Sequence, residues 1–522
     1  MNSENTRILV GPPGTGKTTT LLELVEDRLD KRVNPREIGY VSFTNKAADE
    51  ARDRACAKFN LDANDFPYFR TLHSMAFRML GLRREQVLAS SHHKRELAAR
   101  LKVDIDLRGS SLDHGEFVAP AGSRHGDKLM FWDQKARNRG ISPRKQWERD
   151  PADEFGPDEL EQFSVGYALF KRETGLLDFT DMLEKFVADG GAPALDTLFI
   201  DEAQDLTLLQ WKAAHELSEN VHQIYVAGDD DQAIYDWAGA DSSILVGLEG
   251  RRTVLDQSYR VPEKVHEVAL DIVNRIPPSQ RIEKAYAPRS HPGQVKKIAG
   301  IADIPLETGE WLVLARNLYL LEEIRNRCFE EGFAYSYRKH SPVTPGVWKA
   351  ISIWERLRKS FSDKVVTLND VNHLYQFITT GAAGIRRGMK GAVKKQIKEG
   401  GGDILVCMED LHSVYGLCVD GAAPWNEALD RVPGEYISYL DAAHKRGEDP
   451  AHPRILINTI HSAKGGEADN VCLLQDMSYA SYRSYEKDPA SEARTFYVGV
   501  TRARENLYVL EPMSENYFPV LA

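Results

Sequence analysis

The 522 residues are too many for one compact domain and correspond to about three or four domains of ordinary size. A hydrophobic content of 42% is typical of globular cores, and the net charge of -11 argues against a protein that coats polyanions over its whole surface. The five cysteines include no C-x-x-C pair, and no apolar run approaches the roughly 20 residues that span a bilayer. The sequence therefore predicts a cytoplasmic or nucleoplasmic protein with no membrane partner, no disulfide framework and no zinc or iron–sulfur site.

A phosphate-binding loop follows the first predicted strand. The apolar run 7–10 is typical of a buried parallel strand, and "GPPGTGKT" at 11–18 matches G-x-x-x-x-G-K-[ST] before residues at helical spacing. In such a loop backbone N–H groups face an anion, Lys17 reaches the β- and γ-phosphates, and Thr18 offers a hydroxyl to Mg²⁺. The residues predicted to bind nucleotide here are Gly11, Pro12, Pro13, Gly14, Thr15, Gly16, Lys17, Thr18 and Thr19.

A second predicted strand ends in two carboxylates. In "DTLFIDEAQD" (196–205) three apolar residues precede Asp201 and Glu202. Ligands bind at the carboxyl ends of the strands in an open α/β sheet. We expect Asp201 to hold Mg²⁺ through water and Glu202 to polarise the water that attacks the γ-phosphate.

A third predicted strand leads into an acidic, aromatic loop, "QIYVAGDDDQAIYDWAGAD" (223–241). Gln232 is neutral and bidentate, which suits a sensor of the γ-phosphate. Tyr235 and Trp237 lie in polar, turn-like sequence, where aromatic rings are suited to stack on nucleobases; packing in the core is the alternative for both. The carboxylates 229–231 are expected to end the strand near the metal.

Nine segments, in this order along the chain, resemble the UvrD/Rep/PcrA type of superfamily 1A DNA helicase. The resemblance extends over most of the chain, from 7 to 509. The segments are the phosphate loop, "VSFTNKAADEARDR" (41–54), "RTLHSMAFRML" (70–80), "LLDFTDML" (176–183), "DEAQD" (201–205), "GDDDQAIYDWAGA" (228–240), "LDQSYRVP" (255–262), "INTIHSAKGGEADNV" (457–471) and "RTFYVGVTRARENLYV" (494–509).

The resemblance implies an α/β fold with two RecA-like P-loop domains, each a parallel sheet with helices on both faces, and two mainly α-helical accessory insertions. Both insertions are compact, which indicates a reduced form of the family. The implied divisions are 1–75 with 168–262 as ATP-binding domain 1A, 76–167 as accessory domain 1B, 263–342 with 450–522 as domain 2A, and 343–449 as accessory domain 2B.

The resemblance also implies roles for individual residues. Tyr259 matches the tyrosine that stacks on adenine, and Glu467 matches the glutamate that contacts the ribose. Arg260 and Arg502 match the two arginines that reach the γ-phosphate, so the implied catalytic set is Lys17, Glu202, Gln232, Arg260 and Arg502. The implied DNA-binding set is Phe43, Asn45, His73, Tyr235, Trp237, Thr459, His461 and Lys464.

The function implied is ATP-dependent, Mg²⁺-requiring movement 3′ to 5′ along single-stranded DNA with unwinding at single-strand/duplex junctions, alongside replication or repair proteins. A translocase that strips proteins from DNA, an RNA helicase and a non-catalytic, DNA-binding clamp are the alternatives. Since no glutamine precedes Gly11, nucleotide choice is expected to be loose. The basic run 384–401 is either a solvated helix face or a contact with duplex phosphates.

Overall fold

The computed structural model describes residues 3–42, 45–107, 124–338, 340–360 and 362–521, with the backbone alone for 45–47. The chain forms two compact units, which are treated one at a time. The first unit comprises Met1–Gly293 and Arg483–Thr501, and the second comprises Gln294–Tyr482 and Arg502–Ala522.

Short strands of two to eight residues build the sheets. In chain order they are β1 (Thr6–Val10), β2 (Ile38–Val41), β3 (Phe69–Arg70), β4 (Thr197–Ile200), β5 (Gln223–Gly228), β6 (Arg251–Val254), β7 (Gln257–Pro262), β8 (Ala287–Arg289), β9 (Gln294–Ile298), β10 (Trp311–Ala315), β11 (Tyr335–Tyr337), β12 (Val366–Thr367), β13 (Leu405–Val406), β14 (Ile455–Thr459), β15 (Ala468–Leu474) and β16 (Ala503–Leu510).

Helices connect and cover these strands. In chain order they are α1 (Lys17–Asp30), α2 (Asn45–Phe59), α3 (Leu72–Met79), α4 (Ser91–Leu101), α5 (His125–Asn138), α6 (Pro143–Arg149), α7 (Pro157–Thr174), α8 (Phe179–Asp189), α9 (Leu208–Leu217), α10 (Ser242–Gly247), α11 (Glu263–Val273), α12 (Glu322–Glu331), α13 (Pro345–Lys359), α14 (Leu368–Leu374), α15 (Met389–Gln396), α16 (Met408–Ser413), α17 (Trp425–Ala428), α18 (Ile437–Arg446), α19 (Tyr479–Lys487) and α20 (Pro489–Val500).

The first unit is built on a parallel sheet of six strands in the order β3-β2-β4-β5-β1-β6. Every residue of β2 and β4 is buried, because helices cover both faces of such a sheet. Since all six strands point the same way, the carboxyl ends of β1, β4 and β5 lie at one edge. The phosphate loop, the Asp201–Glu202 pair and the 229–241 segment therefore start from adjacent positions.

The second unit contains another parallel sheet of six strands, in the order β11-β14-β10-β15-β16-β9. All five residues of β10, at the centre of this sheet, are buried. The predicted fold class is confirmed, because the molecule has two large parallel sheets, each with its own helices, as two RecA-like domains require.

The two helical insertions pack differently. Around α4, α5 and α7, buried residues between 88 and 176 form a core of their own, which includes Phe163, Tyr167 and Phe170. By contrast, buried side chains of α13, α14 and α18 belong to one continuous core with β10 and β14 of the second sheet. Residues 263–293 cluster with the first unit. The predicted four-domain boundaries stay a prediction.

None of the helices in the described part of the chain combines the length and the apolar character needed to cross a bilayer.

Candidate functional site

The Lys17 side chain folds back onto the backbone of the phosphate loop. Gly16 has φ of 79° and precedes α1, so the helix begins directly after a left-handed residue. Lys17 Nζ donates a 2.8 Å hydrogen bond to the Gly11 carbonyl. A Cβ atom on Gly11 would lie 2.0 Å from Lys17 Cγ, which is closer than real atoms approach. Glycine at position 11 is therefore what lets the lysine fold back over the loop.

Strand β7 packs directly on this loop. Ser258 Oγ donates to the Pro13 carbonyl at 2.7 Å, and the Tyr259 amide donates to the Gly14 carbonyl at 2.8 Å. A Cβ atom on Gly14 would lie 2.3 Å from Arg260 Cβ, and Gly14 itself has φ of 73°. Tyr259 is 72% exposed. These contacts place Tyr259 and Arg260 beside the loop. Ser258, which makes one of the hydrogen bonds, is a residue that sequence reasoning missed.

Asp201, which directly follows β4, accepts hydrogen bonds from two hydroxyl groups. Its Oδ2 atom accepts hydrogen bonds from Tyr40 Oη at 2.8 Å and from Thr18 Oγ1 at 3.3 Å. Burial and the charge of Glu202 raise the pKa of Asp201 to about 6, against the opposing effects of Tyr40 and Lys17. A divalent cation would favour the ionised carboxylate, and hydroxyl and carboxylate oxygens are ligands that Mg²⁺ prefers, so this donor set fits the ion.

Glu202 has a strained backbone. Its φ of 52° lies in the left-handed region, which non-glycine residues seldom adopt outside turns and functional sites. Its amide donates to Asp201 Oδ1 at 2.9 Å, and Gln204 Nε2 donates to its carboxylate. Gln204 Oε1 also accepts the Asp229 amide at 3.0 Å. Gln204, which the sequence did not single out, therefore ties the end of β4 to the end of β5.

Lys284 pairs with all three consecutive aspartates after β5. Its Nζ atom lies 2.7 Å from Asp229, 2.5 Å from Asp230 and 2.9 Å from Asp231, and its side chain is 2% exposed. Arg281 adds a second cation 2.8 Å from Asp231. Burial opposes the charge on Lys284, but the three carboxylates raise its pKa above the ordinary value. That these carboxylates lie near a metal stays a prediction; the structure adds two basic side chains, Lys284 and Arg281, as their partners.

This network continues to Gln232. The Nε2 atom of Gln232 donates to Asp229 Oδ2 at 2.6 Å, while Lys284 binds the other oxygen of the same carboxylate. Gln232 is 5% exposed. Asp229 therefore fixes the amide of the predicted γ-phosphate sensor, and it is fixed in turn by a residue 55 positions along the chain.

The predicted base-stacking loop lies against α5. The Trp237 ring stacks on Phe131, with centroids 6.1 Å apart and planes inclined by 30°, and it lies 6.2 Å from Tyr235. Arg139, which follows α5, donates to the Asp236 carbonyl at 2.8 Å and to its carboxylate at 3.3 Å. Trp237 and Tyr235 are partly exposed. Phe131 and Arg139 are further residues that sequence reasoning missed, since neither belongs to a recognisable motif.

The remaining DNA-side predictions in the first unit lie near α3. His73 is partly buried, and its ring meets Phe179 edge-on at 5.9 Å. Burial lowers the pKa of His73 to about 4, against the charge of Asp178, so the ring is neutral at pH 7. Phe43 lies outside the described residues, as does the side chain of Asn45.

In the second unit the predicted site residues lie at and after the end of β14 and directly before β15 and β16. Thr459, at the end of β14, accepts the Ser462 amide on its hydroxyl at 3.3 Å and so begins the turn that carries His461 and Lys464. This turn emerges at the carboxyl edge of the second sheet. All three predicted DNA-facing residues are partly exposed.

Glu467 and Arg502 lie close to this turn. Glu467 is 3.9 Å from Arg504. Arg502 is 2% exposed and donates to the Gly466 carbonyl at 3.4 Å. The guanidinium group of Arg502 is thus bonded to the backbone of the residue that precedes Glu467.

Two family models match this chain. Residues 1–251 match the UvrD/REP helicase N-terminal domain, and residues 435–511 match the UvrD-like helicase C-terminal domain. The matched stretches contain the phosphate loop, both carboxylate strand ends and the turn after β14.

Several curated proteins are similar to one part of the chain. An ATP-dependent DNA helicase PcrA from Leuconostoc citreum is 24% identical over 52% of this chain and 37% of its own length. A probable DNA helicase II homolog from Mycoplasma capricolum is 26% identical over 50% and 38%, and the PcrA helicase of Bacillus subtilis is 23% identical over 51% and 37%. The chain thus matches well under half the length of these relatives.

Proposed function

Because this chain belongs to the UvrD/PcrA-like family of superfamily 1 helicases, we propose that it is an ATP-dependent DNA helicase that moves 3′ to 5′ on single-stranded DNA. The observation that carries the proposal is the shared edge of the first sheet. There the phosphate loop, the Asp201–Glu202 pair and the Gln232 segment follow adjacent strands, and β7 brings Arg260 to the loop. Phosphate binding, water activation and phosphate sensing are thereby combined in one unit.

The proposed hydrolysis uses these residues in separate roles. The loop amides and Lys17 bind the phosphates of ATP, and the exposed Tyr259 ring covers the base. Thr18 and Asp201 would hold Mg²⁺, which neutralises charge on the phosphate oxygens. Glu202 orients the attacking water.

Two arginines are assigned to the transition state. A cation placed on the transferring phosphoryl group is worth about 10³–10⁵ in rate in related enzymes. Arg260 packs against Gly14 of the loop, which supports its assignment to this role. Arg502 is assigned by resemblance, as is the contact of Glu467 with the ribose.

The proposed substrate is single-stranded DNA and its junctions with duplex. His73, Tyr235 and Trp237 are the DNA-side residues described in the first unit. Gln232 and Trp237 lie on the single connection between β5 and α10, so a change at the phosphate sensor acts on the stacking residue through a short segment. This connection couples ATP hydrolysis to movement along the strand.

Strand displacement tests the proposal. Duplexes with a 3′ tail, a 5′ tail or blunt ends are incubated with ATP and Mg²⁺, and DNA-stimulated ATPase is measured beside them. We expect unwinding of the 3′-tailed duplex alone, and none by Lys17→Ala. Preference for the 5′ tail would reverse the direction.

The same assay separates the alternatives. DNA-stimulated hydrolysis that removes streptavidin from biotinylated DNA, but leaves the duplex intact, would identify a protein-stripping translocase. Stimulation by RNA in place of DNA would identify an RNA helicase. A chain that binds DNA and ATP without turnover would be a clamp.

A further inference from the structure

Helix α5 bears directly on the loop that carries Trp237. Phe131, on α5, stacks on the indole at 6.1 Å and 30°, an offset arrangement that aromatic pairs prefer. Both rings are partly exposed, so the pair is at the surface and not in the core. Helix α5, whose Leu129 is part of the core of residues 88–176, therefore places the Phe131 ring beside the ring of Trp237.

The backbone of the loop is fixed to the same helix end. Arg139 binds both the carbonyl and the carboxylate of Asp236, the residue before Trp237, and its own side chain is only 10% exposed. Gly239 has φ of 100°, and a Cβ atom there would lie 3.6 Å from Asn138 Cβ. The positive φ favours glycine at this position, and the turn that it forms lies in contact with the end of α5.

We propose that Phe131 and Trp237 together form the surface on which a base of the single strand stacks, and that Arg139 is the positioning residue of that surface. The inference rests on the proposed DNA-binding function and adds two residues to it from outside the loop. Bases of any sequence stack on aromatic faces, so two adjoining rings fit single-stranded DNA without requiring a particular base.

Binding of a labelled oligo-dT at fixed salt tests the platform. Phe131→Leu removes the ring and keeps apolar volume; we expect a dissociation constant about 5- to 100-fold higher, the range of one lost base–aromatic stack. Phe131→Tyr should restore affinity. The matched control is Phe155→Leu, because Phe155 is a buried ring of the same helical core that meets Trp132 instead.

Equal affinities for Phe131→Leu and Phe155→Leu would overturn the inference. Photocrosslinking with 5-iododeoxyuridine gives an independent readout, since adducts should map to the peptides of both Phe131 and Trp237. Adducts confined to the peptide of Trp237 would show that Phe131 supports Trp237 without contacting DNA. That result would overturn the proposal of a shared surface.

A double-mutant cycle tests the role of Arg139. Arg139→Gln should weaken DNA binding in the wild-type background and have no further effect beside Trp237→Ala, because it acts through that residue. Additive losses would overturn the positioning role. Failure of the wild type to bind oligo-dT would overturn the proposed function as well, whereas normal binding by Phe131→Leu beside weak binding by Trp237→Ala overturns this inference alone.

Discussion

Lys17 is assigned to phosphate binding and Glu202 to orienting the attacking water, so we predict that their loss acts at different steps. Lys17→Ala removes the cation assigned to the β- and γ-phosphates, so ATP binding should be lost. Glu202→Gln keeps the side-chain volume and removes the charge that orients water, so turnover should fall about 10²–10⁴-fold while ATP still binds. Fluorescent-nucleotide binding and phosphate release measure the two steps.

The control for these variants is Glu219→Gln, which changes an exposed carboxylate after α9 in the same unit. It should leave both steps as in the wild type. Near-normal turnover by Glu202→Gln would remove Glu202 from the role of orienting water.

His73 gives the first unit a pH-dependent contribution to stability. Its folded pKa of about 4 lies below the unfolded value of about 6.5. As pH falls from 6.5 to 4, the unfolded chain takes up a proton that the folded chain does not, so the free energy of unfolding decreases over that window and is unaffected above it. Since the ring is partly exposed, we expect the unfolded and folded chains to differ by less than one bound proton in this window.

Chemical denaturation at pH 7 and pH 5 measures this contribution. His73→Gln should lose less stability than the wild type between the two pH values. Asp181 titrates in the opposite sense, because burial raises its folded pKa to about 6, so only the difference between variant and wild type reports on His73. Equal losses would show that His73 is solvated.

At the scale of elements, one lysine connects segments that are far apart in sequence. Lys284 lies between α11 and β8 and holds the acidic segment after β5. Removing one partner of a buried ion pair leaves charge uncompensated and costs about 3–5 kcal/mol. Lys284→Met should therefore lower the free energy of unfolding of the first unit by about that amount, as measured by denaturant titration.

Lys31→Met is the matched control, since Lys31 pairs with Asp27 at the surface of the same unit, with side chains 60% and 45% exposed. An exposed pair is worth about 0–1 kcal/mol. A loss for Lys284→Met no larger than that of the control would mean that the aspartates are compensated by Arg281 alone.

At the scale of the molecule, the two helical insertions should differ in how they unfold. Trp354, on α13, is fully buried in the core shared with the second sheet, and its Nε1 atom donates to the Ala423 carbonyl at 3.0 Å. Trp354→Ala costs about 3–5 kcal/mol. Amide exchange in β10, β14 and the helices 345–446 should accelerate together, because they share one hydrophobic cluster.

Phe170→Ala is the counterpart in the separate core of residues 88–176. It should accelerate exchange in α4, α5 and α7 and leave the second unit unchanged. Exchange that accelerates in α13 but not in β10 after Trp354→Ala would show that residues 343–449 unfold as an independent domain.

The sequence by itself determined the strand, loop and helix of the phosphate site and the carboxylates at the ends of β4 and β5. These features are local, because a run of apolar residues followed by glycines or acids specifies its own structure over about ten residues. The resemblance of nine ordered segments added the family, which the two domain models bear out, and with it the fold class with two parallel sheets, which the structure confirms.

Only the tertiary structure decided the partners of these local features. Lys284 is 55 residues from Asp229, and Arg139 is 97 residues from the Asp236 that it binds. Neither residue is in a motif, and a lone lysine or arginine in a sequence is indistinguishable from a solvated one. Which cation compensates a buried carboxylate, and which ring stacks on Trp237, depends on how separate helices pack, because burial and distance set those energies and neither is encoded in local spacing.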